Sequence, residues 1–209
     1  MMIHLALTTG EPAGIGPEIS LKAAEQFLVS HDDVMIHLIG DESLFPTLHD
    51  RLIVEHCPLA APVQPGILNI QNSKYVLKTL DTAISACLSN KYDAMVTAPV
   101  QKSVIAQTGI SFTGHTEYLA EKCGVPLVVM MLCGKPIFES SLLPEELRVA
   151  LVTTHIPLKD VSKVISKSLI EKTIAIVDHD LRSKFNLKQP KIYVTGLNPH
   201  AGESGHIGR

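Results

Sequence analysis

Apolar runs of strand length alternate with amphipathic helical stretches along the first half of the chain. Apolar residues at helical spacing predict a long helix over 73–89. Pro17 and Glu18 suit a first helical turn, so a second helix is predicted over 17–29. Three aliphatic or β-branched runs predict buried strands: 3–8, 34–39 and 94–97. The order of strand, helix, strand, helix and strand predicts an α/β fold with a mainly parallel sheet and flanking helices.

The second half of the chain continues the alternation less regularly. A helical stretch is predicted over 160–181, and 57–72, with three prolines, is predicted as a loop that includes at most an edge strand. The run Lys191–Thr195 is β-branched and aromatic, which predicts a buried strand. Two further apolar strands, at 127–132 and 147–152, are joined by a loop over 133–146.

Composition removes several classes of function. The chain has 209 residues, of which 45% are hydrophobic, which is enough for a core in one or two domains. A net charge of −3, without a basic and aromatic stretch, argues against nucleic-acid binding. No apolar stretch is long enough to span a membrane, and no signal peptide is recognisable, so a cytoplasmic protein is expected. The four scattered cysteines form no CxxC pair and are expected to be reduced.

A glycine-rich turn at 9–18 joins the first strand to the first helix. This order resembles a dinucleotide-binding turn, but the spacing is GxxxGxG rather than GxGxxG, and Pro12 lies inside it. The pattern instead favours a helix N-terminus that faces an anion or a cleft.

Two histidines follow predicted strands. His155 follows the apolar run 149–154, and His200 lies in the Gly-rich loop 196–209 after the strand at 191–195. Loops at the carboxyl ends of strands bind ligands in open α/β sheets, so the two imidazoles could share one crevice. The alternative for the second loop is a glycine-rich turn with a surface histidine.

His115 and Thr116 stand at the start of a predicted helix that ends before Gly124. Free backbone N–H groups, a hydroxyl and an imidazole at such a position can all face an anion. The alternative is that Thr116 is only the N-cap of the helix. Lys102, just after a strand, is a weaker candidate for a base or a phosphate ligand.

The chain resembles the 4-hydroxythreonine-4-phosphate dehydrogenases of pyridoxal 5′-phosphate biosynthesis. Five motifs in order support the resemblance: GEPAGIGPE (10–18), TAPVQK (97–102), FTGHTEYLAE (112–121), VALVTTHIPL (149–158) and GLNPHAGESGHIGR (196–209). The resemblance implies the isocitrate/isopropylmalate dehydrogenase-like fold, with two α/β halves around a cleft, and a homodimer. The halves are expected at 1–110 and 111–209.

The resemblance also implies a reaction and its cofactors. With NAD or NADP and a divalent metal (Zn, Mg, Co or Mn), the family oxidises the secondary alcohol of 4-phosphooxy-L-threonine. The 3-oxo acid then decarboxylates to 3-amino-2-oxopropyl phosphate. The resemblance makes His155 and His200 metal ligands, and His115 and Thr116 substrate contacts.

The resemblance leaves parts of the family pattern outside this sequence. Its third metal histidine, and a lysine, an asparagine and an arginine that bind substrate, would lie beyond Arg209. The chain is therefore expected to be C-terminally truncated and inactive alone, with its first half completed by the absent segment. The loop at 133–146 is longer, and the segment before Tyr75 shorter, than the family pattern. Alternative functions are a paralogous dehydrogenase of threonate or erythronate 4-phosphate, or more remotely a phosphate acyltransferase-like protein.

Overall fold

The computed structural model describes residues 2–45, 50–135 and 146–206. The chain divides into two compact units, Met1–Pro126 and Leu127–Arg209. The predicted boundary at 110/111 therefore falls inside the first unit.

The first unit is built on a four-stranded parallel sheet in the order β3-β2-β1-β4. Its strands are β1 (Ile3–Thr8), β2 (Val34–Gly40), β3 (Leu52–His56) and β4 (Ala94–Thr97). The predicted parallel sheet is confirmed, and the three strands predicted in this half of the chain are present. The edge strand β3 is not predicted by the sequence pattern, which allows an edge strand only in the following stretch, 57–72.

Helices cover both faces of this sheet. They are α1 (Gly16–Leu28), α2 (Ser73–Leu88), α3 (Lys102–Ala106) and α4 (His115–Cys123), with 3₁₀ turns at Glu42–Leu44 and Ile70–Asn72. The strand period of two divides the side chains between the faces. On one face Leu7 of β1 packs with Leu28 of α1, and on the other Ala6 packs with Ala83 of α2.

α4 belongs to the first unit because it packs on α2. Phe112 and Tyr118 join the buried cluster that contains Val76 and Leu80 of α2. The Tyr118 hydroxyl also donates a hydrogen bond of 2.7 Å to Asp81 Oδ1. These contacts hold the start of α4 in place against the sheet.

The second unit contains a two-stranded antiparallel sheet and two helices. Its elements are β5 (Met130–Gly134), β6 (Leu147–Leu151), α5 (Leu158–Val164) and α6 (Lys167–Ser183). The helical stretch predicted at 160–181 is thus two helices. The break falls at Ile165 and Ser166, which are extended, and the Ser166 hydroxyl caps α6 by accepting a hydrogen bond from Leu169 N.

The predicted buried strand at 191–195 is wrong. These residues form no strand, and Tyr193 and Val194 are 84% and 60% exposed. A strand requires a neighbour for its backbone N–H and C=O groups, and no described residue pairs with this segment. A 3₁₀ segment, Pro199–Gly205, follows it. None of the helices in the described part of the chain is long and apolar enough to cross a membrane.

Candidate active site

The carboxyl ends of β1 and β4 bring two loops together in the first unit. β1 pairs with β2 on one side and with β4 on the other, so the chain direction across the sheet changes between β1 and β4. Open α/β sheets bind ligands at such a switch point. Glu11 N donates a hydrogen bond of 3.0 Å to Pro99 O across it. The Gly-rich turn therefore lies against the segment that leads to Lys102.

Gly10 makes this close approach possible. Its φ is +69°, and a β-carbon at this position would lie 2.2 Å from Pro99 O. Any other residue would meet both the penalty of left-handed backbone and a backbone clash. The glycine that the Gly-rich motif supplies is thus used for packing between loops.

Lys102 begins α3 and reaches the start of α4. A β-carbon placed on Gly114 would lie 3.3 Å from Lys102 Nζ and 3.0 Å from Glu117 Oε2. The absence of a side chain at residue 114 therefore leaves room for an ammonium group and a carboxylate beside the first turn of α4. Lys102 is exposed, as its position in the first turn of a helix predicts.

His115 is the most distinctive polar side chain at this position. It is half-buried, and its Nε2 is buried without a hydrogen-bond partner among the described residues. Burial lowers the pKa of His115, and the charge of Lys102 lowers it further. The ring is therefore neutral at neutral pH, and a buried ring nitrogen without a partner is the kind of group that a ligand can satisfy.

Thr116 is not the N-cap of α4. The cap position is Gly114, and no side chain caps the helix. The Thr116 hydroxyl makes no hydrogen bond within the described ranges, and its residue is half-buried in the first helical turn. The interpretation of Thr116 as a simple N-cap is therefore wrong, and the residue instead lies within the first turn of the helix.

Glu11 is a candidate that sequence analysis did not single out. Its residue is only 5% exposed, and one carboxylate oxygen accepts a hydrogen bond of 3.1 Å from Ala13 N. Burial raises the pKa of Glu11, and the hydrogen bond from Ala13 opposes this only partly. In the sequence, only its position within the Gly-rich turn marks Glu11 as a candidate. The burial of its carboxylate depends on the contact of this turn with Pro99.

The two predicted metal histidines lie in the second unit. His155 is exposed in the loop that follows β6, and the His200 side chain is 69% exposed in the 3₁₀ segment. The sequence predicts that both histidines follow parallel strands whose carboxyl ends lie at the same edge of a sheet. This arrangement is wrong, because 191–195 is not a strand and β6 pairs antiparallel with β5.

The backbone of both histidines is unusual. His155 and His200 have φ angles of +57° and +54°. Left-handed backbone costs a residue with a β-carbon about 1–2 kcal/mol. Ala201, Glu203 and Ser204 share it, so this conformation does not single out His200. The carboxylate of Glu203 lies 3.7 Å from His200 Nδ1. Across 2–45, 50–135 and 146–206, however, no three His, Cys, Asp or Glu side chains are grouped to hold a metal ion. The assignment of both histidines as ligands stays a prediction.

Comparison with known proteins gives a consistent result. Residues 15–209 match the sequence model of the family described as pyridoxal phosphate biosynthetic protein PdxA. A 4-hydroxythreonine-4-phosphate dehydrogenase of Ralstonia nicotianae is 48% identical over 100% of this chain and 67% of its own length. One of Burkholderia vietnamiensis is 47% identical over 99% of this chain and 65% of its own length.

The solved structures agree with the sequence relatives. A crystal structure of 4-hydroxythreonine-4-phosphate dehydrogenase from Klebsiella pneumoniae superposes with a TM-score of 0.81 and 27% identity, over 99% of this chain and 67% of that one. The predicted fold class is thereby confirmed. This chain spans about two thirds of the length of the curated relatives it matches.

The coupling between Lys102 and His115 can be measured. Replacing Lys102 by Gln removes a positive charge and should raise the pKa of His115, which remains below that of a free histidine because burial is the larger cause. The measurement is an NMR titration of the His115 ring signal, assigned by its loss in His115→Asn. Lys22→Gln is the control, since Lys22 pairs with Glu18 on an exposed face of α1. An unchanged pKa of His115 in Lys102→Gln would show that the two side chains do not interact.

Proposed function

We propose, from the premise that this chain belongs to the family of the pyridoxal phosphate biosynthetic protein PdxA, that it serves in an NAD(P)-dependent dehydrogenase of 4-phosphooxy-L-threonine. The reaction oxidises the secondary alcohol to a 3-oxo acid, which decarboxylates to 3-amino-2-oxopropyl phosphate. Family membership and the names of the relatives support the reaction. The structural observation that carries the proposal is the buried, unpartnered Nε2 of His115.

His115 and Thr116 are proposed to bind the substrate. A neutral imidazole can donate a hydrogen bond from one nitrogen and accept one at the other. The lowered pKa of His115 keeps it in this form, so it adds polar contacts without a positive charge. The Thr116 hydroxyl and the N–H groups at the start of α4 add donors for an anionic group. These groups together suit the phosphate or the amino-acid head of the substrate.

Lys102 supplies the positive charge at this site. Its ammonium group lies beside Gly114 at the start of α4, where it can act as a point charge toward a phosphate. Its exposure favours phosphate binding over action as a base, because a base at neutral pH requires the ammonium to lose its proton readily.

A divalent metal is proposed to bind His155 and His200. Neutral imidazoles suit zinc, cobalt or manganese better than magnesium, which prefers oxygen ligands. The two histidines fit such an ion by chemical type, whereas the third donor is not found in the described residues. When bound, the ion supplies positive charge that favours loss of the alcohol proton and stabilises the negative charge formed on decarboxylation.

The remaining assignments rest on the family. The names of the relatives support a nicotinamide cofactor, and NAD or NADP is proposed without assigned residues. A homodimer and a cytoplasmic location are proposed on the resemblance. Two α/β halves at 1–110 and 111–209 are proposed for the whole protein, with the first completed by a further segment. Among the described residues β4 pairs only with β1, and this unpaired edge supports the completion.

Activity tests the proposed substrate. Joining this chain to the C-terminal third of the Ralstonia nicotianae relative should give NADH production from 4-phosphooxy-L-threonine, while 1–209 alone should give little or none. In the joined protein, His115→Ala should lower kcat/KM by about 10- to 100-fold, because a buried hydrogen bond to the substrate is lost. His179→Ala, an exposed histidine of α6, should leave kcat/KM unchanged.

Threonate and erythronate 4-phosphate are assayed beside the first substrate. Faster oxidation of either would favour the paralogous dehydrogenase. Activity of 1–209 alone at the level of the joined protein would contradict the expectation that this chain lacks groups the reaction needs.

Metal content tests the two histidines separately from the substrate site. In the joined protein, His155→Ala and His200→Ala should each remove the bound metal and the activity. Both side chains are exposed, so each change should cost well under about 1 kcal/mol of folding stability. The measurements are elemental analysis and circular dichroism, with His115→Ala as the control that retains metal. Stoichiometric metal in both variants would exclude these histidines as ligands.

A further inference from the structure

A pair of histidines faces α2 on the sheet of the first unit, away from the candidate active site. His4 of β1 and His37 of β2 approach within 3.0 Å, measured from His4 Nδ1 to His37 Nε2. Their ring centroids are 5.3 Å apart and the rings are stacked. His37 is only 9% exposed, so this hydrogen bond lies largely out of water. Neither residue has a part in the proposed reaction.

Charged and aromatic groups lie beside His37. The Tyr92 ring lies 4.4 Å from the ring of His37, between centroids. The Tyr92 hydroxyl and Lys91 Nζ donate to the same oxygen of Glu55, at 2.8 Å and 2.9 Å. The charge of Glu55 is therefore engaged by two donors beside the histidines. From α2, the titratable side chain packed against this cluster is the thiol of Cys87.

His4 also anchors the turn that leads into β4. His4 N donates a hydrogen bond of 2.8 Å to Asp93 Oδ2, and Asp93 N donates one of 2.8 Å to His4 O. His37 meets His4 through its side chain and packs on Tyr92, the residue before Asp93. One set of contacts thus joins the amino ends of β1 and β4 to the middle of β2.

A hydrogen bond between two imidazoles limits how many protons they can carry. One ring must donate and the other must accept, so the pair tolerates one extra proton but not two. The second proton removes the acceptor and places two positive charges at 3.0 Å, close to Lys91. Burial lowers the pKa of His37, the charges of His4 and Lys91 lower it further, and Glu55 raises it only partly.

The direction of the pH dependence follows from this lowered pKa. A histidine whose folded pKa lies below its unfolded value of about 6.5 binds fewer protons when folded. Its contribution to stability is complete above that unfolded value and is lost as the pH falls below it. The loss of folding stability should therefore appear on mild acidification.

We propose that His4 and His37 form an acid-sensitive latch in the first unit. With at most one added proton, the pair holds the amino ends of β1 and β4 and the turn at Tyr92–Asp93 together. Entry of the second proton breaks the hydrogen bond between the rings and releases these segments. The latch goes beyond the proposed dehydrogenase function and does not depend on it.

Unfolding by urea at a series of pH values tests the latch in the chain as it is. The near-ultraviolet circular dichroism of tyrosine reports on the first unit, because Tyr75, Tyr92 and Tyr118 are buried there. Between about pH 7 and pH 5, uptake of one proton on unfolding should raise the unfolding constant by up to about tenfold per pH unit. His37→Gln keeps a hydrogen-bonding side chain that does not titrate and should remove this part of the slope.

Two further variants make the result specific. His4→Gln should reduce the slope only in part, because the charge of the neighbouring ring is lost while burial, the larger cause of the lowered pKa of His37, remains. His56→Gln is the matched control, because His56 is exposed on β3 and the amide can still accept the hydrogen bond from Glu42 N; it should retain the original slope.

A slope in His37→Gln equal to that of the unchanged protein would overturn the proposal. If His37→Gln does not fold, NMR titration of the unchanged protein decides. A His37 ring that titrates as a free histidine, with no change at the His4 ring, would overturn the latch, whereas joint titration at lower pH supports it.

Discussion

The pairing of β1 with β4 is the constraint on which the candidate active site depends. In parallel register, Thr8 lies opposite Thr97, so the loops that follow the two strands leave the sheet side by side. The contact of Gly10 and Glu11 with Pro99 then fixes their separation. Lys102 follows Pro99 closely in the sequence and reaches the start of α4. The site is thus assembled by strand register, through short loops that have little freedom of their own.

With the same register, β1 and β4 are in contact at both their carboxyl ends and their amino ends. Their carboxyl ends hold the Gly-rich turn and the segment before Lys102, while their amino ends are joined through His4 and Asp93. β4 has four residues and pairs only with β1 in the part of the chain that the structure describes, so few hydrogen bonds hold it. Contacts at its amino end therefore matter for the position of the loop at its carboxyl end.

The fold of the first unit was predictable because its sequence signals are local. β-branched runs, helical periodicity and the proline at the start of α1 each depend on a few neighbouring residues. The failures share a different cause. The segment 191–195 has the composition of a strand but no described neighbour to pair with, and composition cannot supply one. Likewise, the break between α5 and α6 depends on the serine cap at Ser166, which a helical pattern over 160–181 overlooks.

Three residues of the candidate site were predictable, whereas Glu11 was not. The motif around Gly114 indicates His115 and Thr116, and Lys102 is indicated, with less support, by its position just after a strand. The Glu11 carboxylate is buried in a turn that contacts Pro99, which is distant in sequence, so its burial is not visible in the pattern. For His155 and His200, the local rule about strand ends was applied to a segment that is not a strand. Their proposed role as metal ligands therefore rests on the resemblance to the family.

The central claim is that the unpartnered ring nitrogen of His115 binds the substrate. It is tested most directly by NMR of the 1–209 chain during titration with 4-phosphooxy-L-threonine, following the ring signals of its histidines. Binding at this ring should give a saturable shift of the His115 signal that inorganic phosphate or threonine alone reproduces only in part. A His115 signal that stays unchanged while other histidine signals respond to the substrate would contradict it.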